Sequence, residues 1–247
     1  MLAPYARNYR RLWEEHWWWR GRRRFVLDWV RRLSVRRPPE RILDVGCGDG
    51  LFFDDLSRFG EPWGVEADEG LVDPAGKWAP RIKIAPFGAD YDDGRSYGLV
   101  LMLDSLEHIA DDGAAARRAA ALLEPGGFIF LTVPALPSLW SVHDAANNHF
   151  RRYTRPALRA VMESTGLEVE TVGSFFLWPI LPMYARKLLG GGRPPAAAAG
   201  DYAVLPPPRA VNAVLRAATA FEQRLTGPNG APIGSSLFAV ARRPGSA

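Results

Sequence analysis

Residues 41–45, 62–66, 81–85, 97–103 and 128–133 are short, nearly continuous apolar runs bounded by turn residues, with helix-like stretches between them. A strand buried on both faces reads this way, whereas a half-exposed strand alternates polar and apolar positions. The pattern demands an α/β fold with a mostly parallel sheet covered on both sides. "AAARRAAALLEPGG" (114–127) reads as a strong helix followed by a Pro-Gly-Gly stop. Thr154 is placed to cap a helix that has Pro156 in its first turn and ends at Gly166. Further strands are expected at 167–172 and 236–241.

Roughly sixty residues separate those last two strands, far more than an ordinary connection needs. The insertion opens on the apolar run "SFFLWPILPMYA" (174–185) and passes through "GGGRPPAAAAGDYAVLPPPR" (190–209), a low-complexity linker expected to lack order. It ends in "AVNAVLRAATAFEQRL" (210–225), an amphipathic helix. The chain of 247 residues, 47% apolar, is enough for one such domain with additions.

The single cysteine, Cys47, excludes a disulfide framework and a cysteine-rich metal site, and suggests a reducing, cytoplasmic setting. No metal ligand set is expected. The N-terminus carries tryptophan and arginine instead of the apolar core of a secretory signal, and the 174–185 run is short of a membrane span and holds two prolines. Eleven arginines fall within residues 1–37 against Glu14, Glu15 and Asp28, yet the formal net charge is only +4, which argues against a nucleic-acid partner.

The first apolar run leads into "RILDVGCGDG" (41–50). A dinucleotide turn wants G-x-G-x-x-G, but Gly46, Gly48 and Gly50 alternate and Leu51 stands at the third-glycine position. Asp44, two residues ahead, would repel a diphosphate but can hold the ammonium of a cationic amino-acid ligand. Glycines let such a ligand lie against bare backbone. A plain tight turn is the alternative, and Cys47 reads as a small filler rather than a nucleophile.

This D-x-G-x-G-x-G stretch resembles motif I of the class I S-adenosylmethionine (SAM) dependent methyltransferases, and the resemblance runs in order over about residues 40–172. "WGVEAD" places Glu66, followed by Ala67, where that family has an acid for the ribose hydroxyls. "APFGADYDD" looks like the adenine segment, with Asp90 toward the adenine amino group and Tyr91 beside it; Asp92 or Asp93 could take that role. "LVLMLDSLEHIADD" resembles the fourth strand and its turn, where Leu103 and Asp104 flank the methionine moiety, and where His108 reads as packing. The resemblance implies a doubly wound, Rossmann-like sheet of seven strands, the last antiparallel, with an N-terminal helical lid and a two-helix insertion before the last strand. The implied division is lid 1–38, SAM-binding core 39–173, insertion 174–230, and final strand and tail 231–247. Gly46, Cys47 and Gly48 would then lie under the cofactor, with S-adenosylhomocysteine as product.

The loop after the fifth strand, 134–156, lies at the carboxyl edge of the sheet, where α/β proteins place ligands. It collects Trp140, His143, Asp144, His149, Arg151, Arg152 and Tyr153. His143 and His149 are the candidate bases for a hydroxyl or amine acceptor, with Asp144 as orienting partner. Arg151 and Arg152 could grip an anionic acceptor or simply pin the loop. His16 and Trp17, with Trp18 and Trp19, either cover the site or pack on the domain. The N-terminal segment and this loop resemble a bacterial branch linked to polysaccharide, glycolipid or isoprenoid pathways, so the acceptor class implied is small-molecule, lipid-linked or glycan-type. "FFLWPILPMYARKLL" (175–189) suits an anionic membrane surface, a wall for a lipophilic acceptor, or core. The rival from another class is a SAM-binding accessory protein at a membrane-associated complex; a nicotinamide oxidoreductase is disfavoured by Leu51.

Overall fold

The structure, a computed structural model, describes residues 10–189 and 206–245. Most of the expected linker therefore lies outside the described residues. Seven strands form one sheet in the order β3-β2-β1-β4-β5-β7-β6: β1 (Arg41–Val45), β2 (Glu61–Glu66), β3 (Ile82–Ile84), β4 (Tyr97–Leu103), β5 (Leu123–Pro134), β6 (Glu168–Phe175) and β7 (Ser236–Arg242). β1 to β5 pair in parallel, and β7 runs antiparallel to both β5 and β6. The doubly wound, seven-stranded fold expected from the resemblance is the fold present.

β1 and β4 occupy the centre, and their apolar side chains divide between two cores. Leu43, Val45, Val100 and Met102 point to one face, Ile42, Leu99 and Leu101 to the other. This is the period of two of an extended chain, applied to a sheet with no wet face.

The second core is closed by the N-terminal helix Trp17–Arg36 through Phe25, Val26, Trp29, Val30 and Leu33. Phe25 stacks on Phe175 at 4.4 Å, and Trp29 meets Phe238 at 5.4 Å. His16 caps this helix by accepting from the Trp18 amide at 3.2 Å. Its other neighbour is the helix Arg209–Thr226, which approaches closely at Gly21, where a Cβ would stand 2.5 Å from Thr219 Cγ2.

Two local expectations meet different outcomes. Thr154 caps the helix Arg155–Glu163 as anticipated, its hydroxyl accepting from the Ala157 amide at 3.3 Å. The helix expected to run from 114 up to the Pro-Gly-Gly stop spans Asp112–Ala121 instead. Leu123 is already paired with Tyr97, and an irregularity carries the strand past Pro125 and the glycines to Phe128 opposite Leu99. Sheet pairing of Leu123 outweighs local helical preference there.

Candidate functional site

The turn after β1 is held by its neighbour strand. The Gly46 and Cys47 amides donate to the Val65 carbonyl at 2.8 and 3.3 Å, and the Gly48 amide donates to Glu66 Oε2 at 2.9 Å. The other oxygen of Glu66 accepts from the Asp68 amide at 3.0 Å. Gly46 has φ +76°, and a Cβ there would stand 2.8 Å from Ser105 Cβ, so only glycine suits the turn. Cys47 fills the space above Gly64, where any Cβ would collide with its sulfur. Burial pushes its thiol up, with Asp44 and Glu66 adding to the effect, so it is inert as a nucleophile.

This turn borders a cavity of about 620 Å³. Gly46, Glu66, Ala67, Leu103 and Asp104 line it on the sheet side. Trp17, His16 and Arg22 line it from the N-terminal helix, and His143, His149 and Arg152 from the loop after β5. Three distant segments singled out in the sequence thus share one space. Asp44 lies beneath, buried, with Oδ1 finding no partner. Burial, with Glu66 adding and Arg22 opposing, pushes its carboxyl up to about 7. Asp104, at φ +50°, anchors through its amide to the Thr132 carbonyl at 2.9 Å and forms an ion pair with Arg22.

Most of the remaining sequence candidates do not line the cavity. Cys47 and Gly48 belong to the turn itself. Asp90 is exposed, and Tyr91 is buried against Phe87 at 4.9 Å. Trp140 is exposed. Arg151 pairs with Asp112 at 2.7 Å, and the Tyr153 hydroxyl donates to the same carboxylate at 2.7 Å. Arg152 reaches the cavity but is committed to Asp144 at 2.7 Å and to the Ala135 carbonyl at 2.9 Å. Arg152 pins this loop from within, and Arg151 ties it to the start of the helix Asp112–Ala121.

Asp144 is the organiser of that loop. It completes a capping box at Ser141, accepting from the Ser141 amide at 2.9 Å, and its Oδ1 lies 3.0 Å from His149 Nδ1. Burial alone would raise its carboxyl, but the bonds from His149 and Arg152 outweigh that and hold it well below the usual carboxylate range. His149 therefore presents Nε2, not Nδ1, to the cavity.

A methyltransferase-domain family matches residues 18–172, well over half of the chain. The chain belongs to that family. A ubiquinone biosynthesis O-methyltransferase from Xanthomonas axonopodis pv. citri is 27% identical to this methyltransferase over 175 residues, covering 60% of this chain and 71% of the relative. One from Azorhizobium caulinodans is 33% identical over 102 residues, covering 37% and 39%. Among solved structures, a SAM-dependent methyltransferase from Archaeoglobus fulgidus superposes with a TM-score of 0.55 at 17% identity, covering 90% of this chain and 94% of that one. The SAM-bound amino pentose methyltransferase CalS10 from Micromonospora echinaspora gives 0.50 at 19% identity, over 61% and 85%. At such identities the structural likeness concerns the fold.

SAM is the cofactor of this methyltransferase, and the residues present fit it. The buried, unpartnered Asp44 oxygen suits an ammonium, the bare Gly46 backbone admits a ligand, and Glu66, with two amides satisfied, keeps acceptor capacity for hydroxyls. Sequence reasoning missed Arg22 and Ser105 as cavity residues, and offered the 175–189 run as an acceptor wall among other readings without singling out Met183. Arg22 is one of eleven N-terminal arginines and carries no local signal that sets it apart. Met183 sits inside an apolar run whose inward face no periodicity declared.

Proposed function

We propose that this enzyme methylates a hydroxyl of a small, amphiphilic acceptor held against the histidine-bearing wall of the cavity. One observation carries the reading: the Gly46–Glu66 edge and the side chains of His143 and His149 line the same cavity. When bound, SAM supplies a sulfonium methyl open to in-line displacement. Asp44 and Glu66 hold opposite ends of that ligand, and Asp104 is fixed beside it by Arg22. Asp144 fixes the His149 ring, and His149 or its neighbour His143, 6.5 Å away between ring centroids, takes the hydroxyl proton. The relatives named as O-methyltransferases favour oxygen over nitrogen as the methylated atom. Incubation with SAM and a panel of hydroxylated aromatic amphiphiles tests this by S-adenosylhomocysteine release. Release only with amine acceptors, or with none, would overturn it.

The amphiphilic character rests on an inverted helix. In Arg209–Thr226 the buried positions are polar: Asn212, Thr219 and Glu222. Asn212 accepts from the Trp17 amide at 2.9 Å, and Glu222 accepts from the amides of Leu177 and Trp178, each at 2.9 Å. Val211, Val214, Phe221 (64% exposed) and Leu225 (71%) face outward. They follow the helical period and form one stripe. The helix Ile180–Leu188 contributes Met183 to the cavity but leaves Leu181 (78%) and Leu188 (85%) outside. Arg20, Arg24 and Arg216 cluster closely enough to depress the Arg20 guanidinium, behind the effect of burial.

An exposed apolar stripe on a helix that also carries Arg209, Arg216 and Arg224 suits an anionic bilayer surface, with ~1 kcal/mol per cation near the membrane. No helix among the described residues is long and apolar enough to cross a membrane. Co-sedimentation with phosphatidylglycerol vesicles should be strong at low salt and fall sharply in Phe221→Glu. Absence of sedimentation, with concentration-dependent dimers in its place, would assign the stripe to a second copy of the chain.

A further inference from the structure

We propose that Glu107, His108 and His149 form a divalent transition-metal site in the wall of the cavity, which holds the acceptor's oxygen. The inference rests on the reading of the cavity as a methyl-transfer site. One ligand atom from each residue lies within 4.8 Å of the other two. A bound ion with ligand distances of 2.0–2.2 Å brings such atoms to roughly 3.4 Å apart, a closure that side-chain rotations supply.

Three features mark the cluster as built for a ligand. Glu107 is 1% exposed, and its Oε2 has no hydrogen-bond partner, though the residue lines the cavity. His149 is tied through Nδ1 to Asp144 at 3.0 Å, which turns Nε2 toward the cluster. Metal-binding histidines carry this kind of outer support, a carboxylate or carbonyl on the second ring nitrogen. His108 is held on its turn by its amide, which donates to the Ser105 carbonyl at 3.1 Å. The two rings stand edge to face with centroids 4.6 Å apart, and the Phe150 amide donates to the Glu107 carbonyl at 2.8 Å, locking the two segments together.

Two imidazoles and one carboxylate suit zinc, iron(II) or manganese, and leave coordination positions open toward the cavity. There the ion acidifies the acceptor's hydroxyl. The O–H proton passes to His143, the oxygen's electron pair forms the new bond to the methyl carbon, and the pair of the broken C–S bond stays on sulfur as a neutral thioether. His149 is then a ligand, and His143 is left as the proton acceptor.

Chelator-treated protein titrated with Zn²⁺ and with Mn²⁺ in a calorimeter should take up one equivalent per chain. Glu107→Gln and His149→Gln should each weaken uptake ~10-fold or more, and Asp144→Asn by ~10–100-fold through loss of ring support. S-adenosylhomocysteine affinity should be unchanged in Glu107→Gln. Should a variant not fold, cobalt(II) absorption of the wild type reports the same ligand set through its intensity and band positions. No stoichiometric uptake by wild type that still binds S-adenosylhomocysteine overturns the proposal, as does uptake indifferent to both ligand substitutions. Failure to bind S-adenosylhomocysteine would strike the functional reading instead, and the metal titration would stand apart from it.

Discussion

Asp44→Asn separates what the cofactor site needs from what the fold prefers. The Asp44 carboxyl is fully buried and pushed up to about 7 from an ordinary 3.8, by burial first, with Glu66 adding and Arg22 opposing. At ~1.4 kcal/mol per pH unit between those values, the ionised carboxylate costs the fold about 4 kcal/mol. A carboxyl with a raised pKa contributes stability that is fully present below 3.8 and lost as pH climbs to and through 7. The asparagine cannot ionise, so the variant should be the more stable protein above pH 7, by at most that amount, with the difference vanishing near pH 4. Each kcal/mol corresponds to roughly 2–4 °C in Tm at this size.

Cofactor binding should move the opposite way. A charge-assisted bond to the ligand ammonium is worth ~1.5–3 kcal/mol, so S-adenosylhomocysteine should bind the variant about 10–100-fold more weakly at pH 8. In wild type its affinity should rise about tenfold per pH unit up to 7 and then level off. Calorimetric titration from pH 5.5 to 8.5, with thermal melts of both proteins, reads both effects. Undiminished affinity in Asp44→Asn, or a flat wild-type profile across pH 7, would refute the assignment of Asp44.

Gly46→Ala should lose both stability and cofactor affinity, because φ +76° costs an L-residue ~1–2 kcal/mol and its Cβ meets Ser105; urea melts and titration check it. Arg23→Ala leaves Asp55, 2% exposed and held at 2.6 and 2.9 Å, without its main partner, and should cost about 3 kcal/mol in denaturant unfolding. Glu222→Ala frees the Leu177 and Trp178 amides and should cost ~2 kcal/mol or more, whereas Glu222→Gln, keeping one acceptor oxygen, should cost less.

The central sheet and the glycine turn were legible because their signals are local. A buried parallel strand is apolar throughout, and a backbone that must stand at positive φ beside a neighbour strand admits little but glycine at 46. The helix over 210–225 was legible as a helix but not in its orientation. Period shows that two faces differ, and only the partners of Asn212, Thr219 and Glu222, supplied by residues 41 to 195 positions away, decide which is inside. The end of the helix ahead of the Pro-Gly-Gly stop was hidden for the same reason: Leu123 is claimed by Tyr97, a partner the local sequence does not name. At the site, the two loop histidines were visible as chemistry. Glu107 and His108, in the turn after β4, acquire meaning only when the loop after β5 folds over them.

A crystal structure of the protein soaked with S-adenosylhomocysteine tests the account most directly. The expected result is the amino-acid end over Gly46 near Asp44, the ribose hydroxyls on Glu66, and the sulfur facing the side of the cavity that carries His143 and His149. The product lodged elsewhere, or missing at saturating concentration while the fold stays intact, would contradict it.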